Sequence, residues 1–217
     1  MMNHFKNKDG KVIVENLIKT IQENKDYLSK IDGEIGDGDH GINMNKGFTM
    51  CKERIEGKPL NLTDSLKALA MVLMMEIGGS MGPLYGTMFF EMSKATEGKE
   101  EIDSQVFTEM LQNSVKGIQS LGDAKVGDKT LMDTLIPAAG AFITEKESGF
   151  AAAIDKMIEA AEKGRDSTID LVAKIGRASR LGERSRGVLD AGATSCFLLL
   201  ETMGKTIKEL LSEGQPA

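Results

Sequence analysis

Apolar residues recur at three- and four-residue spacing along almost the whole chain, and no segment sustains the two-residue alternation of a half-buried strand. Val12 to Tyr27 reads as a first helix, its face marked by Ile13, Leu17 and Ile21 and continued by Leu28. A second starts at Gly41, holds Ile42, Asn45, Phe48 and Ile55 near one side, and ends near Gly57-Lys58-Pro59. A third carries Leu62, Leu66, Leu69, Leu73 and Ile77, with Asn61 or Thr63 as its cap. Pro83 sits where a first-turn proline belongs and leads into Leu84, Met88 and Met92. Asp103 or Ser104 caps the next helix, whose inward side is Phe107, Leu111, Ser114, Ile118 and Leu121. Helices from about Leu131 to Glu145 and from about Gly149 to Lys163 follow. Asp166 or Ser167 caps a further one through Ile175, and Gly192 to Leu211 carries the stripe Cys196, Leu199, Met203, Ile207 and Leu210. The pattern predicts one all-α domain over residues 1–212, a bundle of about eight amphipathic helices, with 213–217 as a frayed tail. Short connections make the helices antiparallel neighbours, and no linker or repeat divides the chain.

Composition narrows the classes. The chain has 217 residues, enough for one good-sized core, and its net charge of −6 argues against nucleic acid as a partner. No apolar run approaches the length of a membrane span, and the first residues lack the apolar core of a signal peptide. A cytoplasmic protein is the expectation. The two cysteines, Cys51 and Cys196, have no metal-like spacing and fall on apolar helix faces, which predicts buried free thiols.

The chemistry concentrates in DGEIGDGDHGINMN, residues 32–45. Asp32, Asp37 and Asp39 stand close together among glycines that let the backbone bend and the carboxylates converge. Three such carboxylates repel one another unless a cation lies between them, and hard oxygen donors suit Mg²⁺ with phosphate. The helix that starts beside them presents free N–H groups and a partial positive charge, which also favours phosphate. An Asp-Gly turn is the plain alternative reading. An EF-hand does not fit, because no glutamate closes the loop.

Three further stretches carry polar groups. GGSMGPLYG places Ser80 before a proline-started helix, as a cap or a phosphate donor. GDAKVGDKT nearly spells a P-loop, but Asp128 intrudes between Gly127 and Lys129 and no strand precedes it. GRASRLGERSRG sets Arg177, Arg180, Arg184 and Arg186 within ten residues, suited to phosphate, to an acidic partner, or to a solvated face.

Together these stretches resemble the L subunit of dihydroxyacetone kinase, the nucleotide-binding partner in that kinase. DGEIGDGDHGINMNKGF at 32–48, GGSMGPLYGTMF at 78–89, GDKTLMDTL at 127–135, GRASRLGERSRG at 176–187 and DAGATS at 190–195 carry the match, in the family's order. The resemblance implies an up-and-down barrel of eight antiparallel helices with the nucleotide at one end. It implies that Asp32, Asp37 and Asp39 bind Mg²⁺ ions bridging the diphosphate, and that His40, Gly41, Ile42 and Asn43 face the phosphates. Gly79, Ser80 and Met81 match a phosphate-binding turn, and Gly122, Thr130 and Met132 match positions around adenine and ribose. Arg177 matches a nucleotide-contacting arginine, and Asp190, Ala191 and Gly192 match a closing loop, so His40 and Arg177 are the candidate catalytic contacts.

The implied reaction moves the γ-phosphate of ATP to dihydroxyacetone, or a similar short ketose, held on a separate K subunit. In the free-standing form, bound ADP is rephosphorylated in place by a phosphotransferase-system partner, and this chain without a K domain looks like that form. Two departures lie at the active end. Met81 stands where the family usually has Ser, and Val188-Leu189-Asp190-Ala191-Gly192 replaces His-x-Asp-Pro-Gly. A nucleotide-loaded regulatory module without turnover, fitted by the arginine run and the altered closing loop, is the alternative reading.

Overall fold

The computed structural model describes residues 3–213. Its α-helices are α1 (Lys11–Glu23), α2 (Lys25–Ile35), α3 (His40–Ile55), α4 (Leu62–Glu76) and α5 (Met81–Thr96), followed by α6 (Ser104–Gln119), α7 (Met132–Glu145), α8 (Phe150–Ser167) and α9 (Ala191–Glu213). From α3 onward each helix packs on the next in sequence, and α1 and α2 close the ring against α9 on one side and α3 on the other. α1 and α2 fill one position between them, so among the described residues nine α-helices make an eight-membered, up-and-down all-α barrel. The expected first helix breaks at Asn24, whose Nδ2 donates to the Thr20 carbonyl at 2.9 Å and so ends α1. The expected caps are Asn61, which accepts from the Asp64 N–H, and Asp103, which accepts from Val106.

The apolar stripes face one another, and the buried apolar residues form one cluster from Phe5 to Leu211. Phe107, Phe142 and Phe150 pack there with ring centroids 4.9–5.8 Å apart. Both cysteines are buried in it; burial pushes the Cys51 thiol up to about 12 and the Cys196 thiol higher still. Among the described residues no helix is long and apolar enough to cross a membrane. Glu213 belongs to α9, and the rest of the expected tail lies outside the described residues.

Two expectations fail. The helix through Ile175 is absent. Residues 168–190 instead hold short 3-10 turns, Thr168–Asp170 and Arg177–Ser185, the second kinked at Gly182. The backbone there bonds to distant partners: Lys174 N–H to the Asp128 carbonyl, Ala173 N–H to Ser185 Oγ and Gly187 N–H to the Ile169 carbonyl. Those bonds exclude the i to i−4 ladder of a helix. The second miss is an antiparallel pair of β1 (His4–Lys6) and β2 (Glu101–Asp103), with Phe5 opposite Ile102 and both buried. Three-residue strands are too short for alternation to register.

An up-and-down barrel puts alternate connections at the same end. The α2–α3, α4–α5, α6–α7 and α8–α9 connections gather at one end, and the β pair and the other connections lie at the opposite end.

Candidate metal and phosphate cleft

The four gathered connections enclose a cleft of about 790 Å³. Asp32 projects into it from the last turn of α2, so the acidic stretch begins in a helix and not in a loop. Asp37 and Asp39 follow on the 36–39 turn. Gly36 is required there, because a Cβ would lie 2.5 Å from Asp32 Oδ1, and Gly38 has φ +75°. One carboxylate oxygen from each of Asp32, Asp37 and Asp39 lies within 4.8 Å of the others. At that spacing each pair of charges repels by roughly 3 kcal/mol at an effective dielectric of 20. The structure offsets this with the Arg177 guanidinium, which pairs with Asp37 and lies 3.7 Å from Asp39. Asp32 Oδ2 also accepts the His40 N–H at 3.2 Å and so ties the cluster to the start of α3.

Convergent carboxylate oxygens are hard donors, and this set fits Mg²⁺ with room for further oxygen ligands. Beside it start two helices: α3 at His40, whose first N–H is held by Asp32, and α5 at Met81, whose first-turn N–H groups are free of a side-chain cap. Ser80 occupies the position before α5 but makes no side-chain cap, which leaves its hydroxyl for the cleft. The remaining wall is apolar, from Leu84, Ile118, Leu121, Met132 and Ile175.

Asp32, Asp37, Asp39, His40, Asn43, Gly79, Ser80, Met81, Gly122, Thr130, Met132, Arg177, Asp190, Ala191 and Gly192 all line this one cleft. Gly41 and Ile42 do not. Gly41 packs on α2, where a Cβ would come within 2.0 Å of the Lys25 carbonyl, and Ile42 is exposed outside the cleft. Of the four clustered arginines only Arg177 reaches the cleft; Arg180 and Arg184 are exposed and Arg186 pairs with Glu183.

The sequence reading missed two residues, Tyr85 and Ser195. Tyr85 Oη lies 2.6 Å from Ser195 Oγ, and Ser195 Oγ lies 2.8 Å from His40 Nε2. Tyr85 falls within the apolar run of α5 and Ser195 is more than a hundred residues away, so no spacing pairs them. Lys129 is buried beneath the cleft with φ +63°, its Nζ bonded to the carbonyls of Thr168 and Val188. Its burial pulls its pKa down, partly offset by the nearby Asp190. Burial also pushes the Asp190 carboxyl up to about 7, against the Ala193 N–H that its Oδ2 accepts, and lowers the His40 imidazole to about 4, partly offset by Asp32.

Comparison with known proteins places this geometry. The DAK2 domain model matches residues 34–205. The ADP-binding subunit DhaL of PEP-dependent dihydroxyacetone kinase 1 from Listeria innocua is 43% identical over 187 residues, covering 86% of this chain and 89% of that protein. The corresponding Escherichia coli subunit is 35% identical, covering 85% and 89%. L-erythrulose kinase of Pectobacterium atrosepticum is 31% identical over 83% of this chain, which spans 31% of that longer protein. The dihydroxyacetone kinase of C. freundii has the same fold, with a TM-score of 0.70 over 94% of this chain and 36% of its own, at 21% identity. A second C. freundii structure, in complex with AMP-PNP and Mg²⁺, gives 0.67 over 91% and 33%. The chain belongs to the DAK2 domain family, which its near full-length relatives represent as kinase subunits.

Proposed function

We propose that the chain is the nucleotide-carrying subunit of a kinase of the dihydroxyacetone type, working as one unit from α1 to α9. It carries Mg-ADP or Mg-ATP and passes the γ-phosphate to a short ketose held on a separate K-type subunit. The observation that carries this reading is the convergence of three aspartate oxygens within 4.8 Å of one another, in one cleft with the starts of α3 and α5. Relatives of similar length named as PEP-dependent, ADP-binding subunits support a phosphotransferase-system donor that recharges the nucleotide in place.

When bound, the metal would neutralise charge on the phosphates and orient them. The chain's residues do the rest. Asp32, Asp37 and Asp39 hold the cation, and Arg177, released from Asp37 and Asp39, turns its guanidinium to phosphate. The first turn of α5, with Ser80, receives the phosphate oxygens. Thr130, Met132 and Gly122 line the wall for base and sugar, and Asp190, Ala191 and Gly192 close over them. Phosphoryl transfer asks mainly for such positioning and charge neutralisation.

The test is to purify the protein in Mg²⁺, denature it with acid and identify any released nucleotide by ion exchange. The expected result is ADP near one equivalent, and ketose phosphorylation when K-type and donor subunits are added. A protein that releases no nucleotide and binds neither Mg-ADP nor Mg-ATP contradicts the reading. Complex formation with the partners but no turnover would favour the regulatory module instead.

A further inference from the structure

Three groups from distant parts of the chain meet under the cleft: His40 at the start of α3, Tyr85 on α5 and Ser195 in the second turn of α9. Tyr85 is 1% exposed and Ser195 fully buried. Tyr85 Oη lies 2.9 Å from the Gly192 carbonyl and 2.6 Å from Ser195 Oγ. Ser195 Oγ lies 3.1 Å from the same carbonyl and 2.8 Å from His40 Nε2.

The protons can be placed by counting. Tyr85 and Ser195 own one hydroxyl proton each, and the Gly192 carbonyl only accepts. The 2.6 Å contact between the hydroxyls needs a proton between them, as does the 2.8 Å contact to the imidazole. Suppose Ser195 donates to His40. Tyr85 must then donate to Ser195, and the Gly192 carbonyl faces two oxygens at 2.9 and 3.1 Å with no proton from either. If His40 donates from Nε2 to Ser195 instead, one of the two hydroxyls is free to donate to Gly192 and the other bridges the pair. That arrangement leaves one protonless contact where the first leaves two.

We propose that Tyr85 and Ser195 are positioning residues that hold the His40 imidazole as its Nε2–H tautomer, with the Nδ1 lone pair turned to the cleft as a hydrogen-bond acceptor. His40 lines the cleft, and its Nδ1 has no protein partner among the described residues. The consequence is a choice of ligand group. A bare phosphate oxygen and a bare Nδ1 are both acceptors and repel, so the side chain takes an O–H: a ligand hydroxyl, or a water on a cation held by the aspartates. Phosphate is left to Ser80 and the backbone at the start of α5. This differs from the expectation of a side-chain phosphate contact at His40. The tautomer stands independently of the proposed function; its effect on transfer rests on that reading.

His40 and His4 are the chain's only histidines, so two-bond ¹H–¹⁵N correlation on the ¹⁵N-labelled full chain reads each ring separately. The expected spectrum of the ligand-free protein shows Nε2 of His40 protonated and Nδ1 bare. Ser195→Ala should bring the two nitrogen shifts together as both tautomers fill, and Tyr85→Phe should move them part of the way. In the reconstituted kinase, Ser195→Ala should lower kcat roughly tenfold while the Kd for Mg-ADP changes less than twofold. A dominant Nδ1–H tautomer in the unmodified protein overturns the proposal, and that measurement needs no variant to fold. Unchanged His40 shifts in a folded Ser195→Ala also overturn it. The expected tautomer in a protein that carries no nucleotide would count against the proposed function alone.

Discussion

Asp190 and His40 line the same cleft, and burial keeps both from charging. Their effects on stability run in opposite directions. Asp190 has its carboxyl raised to about 7, so its contribution is full below the unfolded value near 4 and is lost as pH rises through 7. His40 is lowered to about 4, so its contribution is full above the unfolded value near 6.5 and is lost as pH falls through 4. Asp190 is worth up to ~4 kcal/mol and His40 up to ~3 kcal/mol, and between pH 4 and 7 their pH dependences largely cancel. Asp190→Asn removes one side of that balance. Urea unfolding of the metal-free protein should show the variant more stable than the parent at pH 7.5, with the gap closing by pH 4. A gap that does not change with pH would show that Asp190 ionises in the folded protein as it does in the unfolded chain. At this scale the carboxylate cluster was legible, because Asp32, Asp37 and Asp39 lie within eight residues of one another and glycines surround them. Tyr85 and Ser195 were not, because only the ring closure of α9 against α1 and α2 and its packing on α7 and α8 bring residue 195 to residue 40.

Helix contacts set how closely the site's parts approach. The start of α3 lies so near α2 that a Cβ on Gly41 would reach within 2.0 Å of the Lys25 carbonyl and 2.7 Å of Ser29. Gly41→Ala must push α3 away from α2, and with it the His40 N–H that Asp32 accepts. The expected outcome is a loss of about 1–3 kcal/mol in chemical denaturation, together with weaker Mg²⁺ binding by calorimetry. The cap residues behave more simply: Asp103→Ala removes the side chain that accepts the Val106 N–H and should cost about 1 kcal/mol with metal binding unchanged. Long amphipathic helices were legible because many residues vote on one period; Asn61 and Asp103 cap as expected, whereas Asp166 and Ser167 end α8 and start no further α-helix. The segment 168–190 was not, because its backbone bonds to residues such as Asp128 that local propensity cannot see.

The barrel separates its two ends. At the end away from the cleft, Asn7 is buried and its Nδ2 donates to Thr63 Oγ1, the Thr96 carbonyl and the Lys99 carbonyl, at 2.9, 3.2 and 2.7 Å. Asn7→Ala removes these bonds and the acceptor of the Thr63 N–H, while the Thr96 carbonyl keeps Thr63 Oγ1 as a donor, and should cost about 1–2 kcal/mol in thermal or urea unfolding. Mg-nucleotide affinity should stay within twofold, because the lesion and the cleft lie at opposite ends. A large loss of affinity in a folded Asn7→Ala would show that the ends are coupled. The overall architecture was legible from eight apolar stripes and short connections. The pair of β1 and β2 was not, since Phe5 and Ile102 are single inward residues that meet across almost a hundred positions.

The proposed dependence of nucleotide binding on a metal held by the three aspartates is read by titration calorimetry with ADP. The nucleotide-stripped protein should bind one ADP in Mg²⁺ and lose that affinity by at least a hundredfold in EDTA. Asp37→Asn should lose it similarly, with helical circular dichroism unchanged. ADP binding of equal strength with Mg²⁺, with EDTA and in the Asp37→Asn variant would contradict the account.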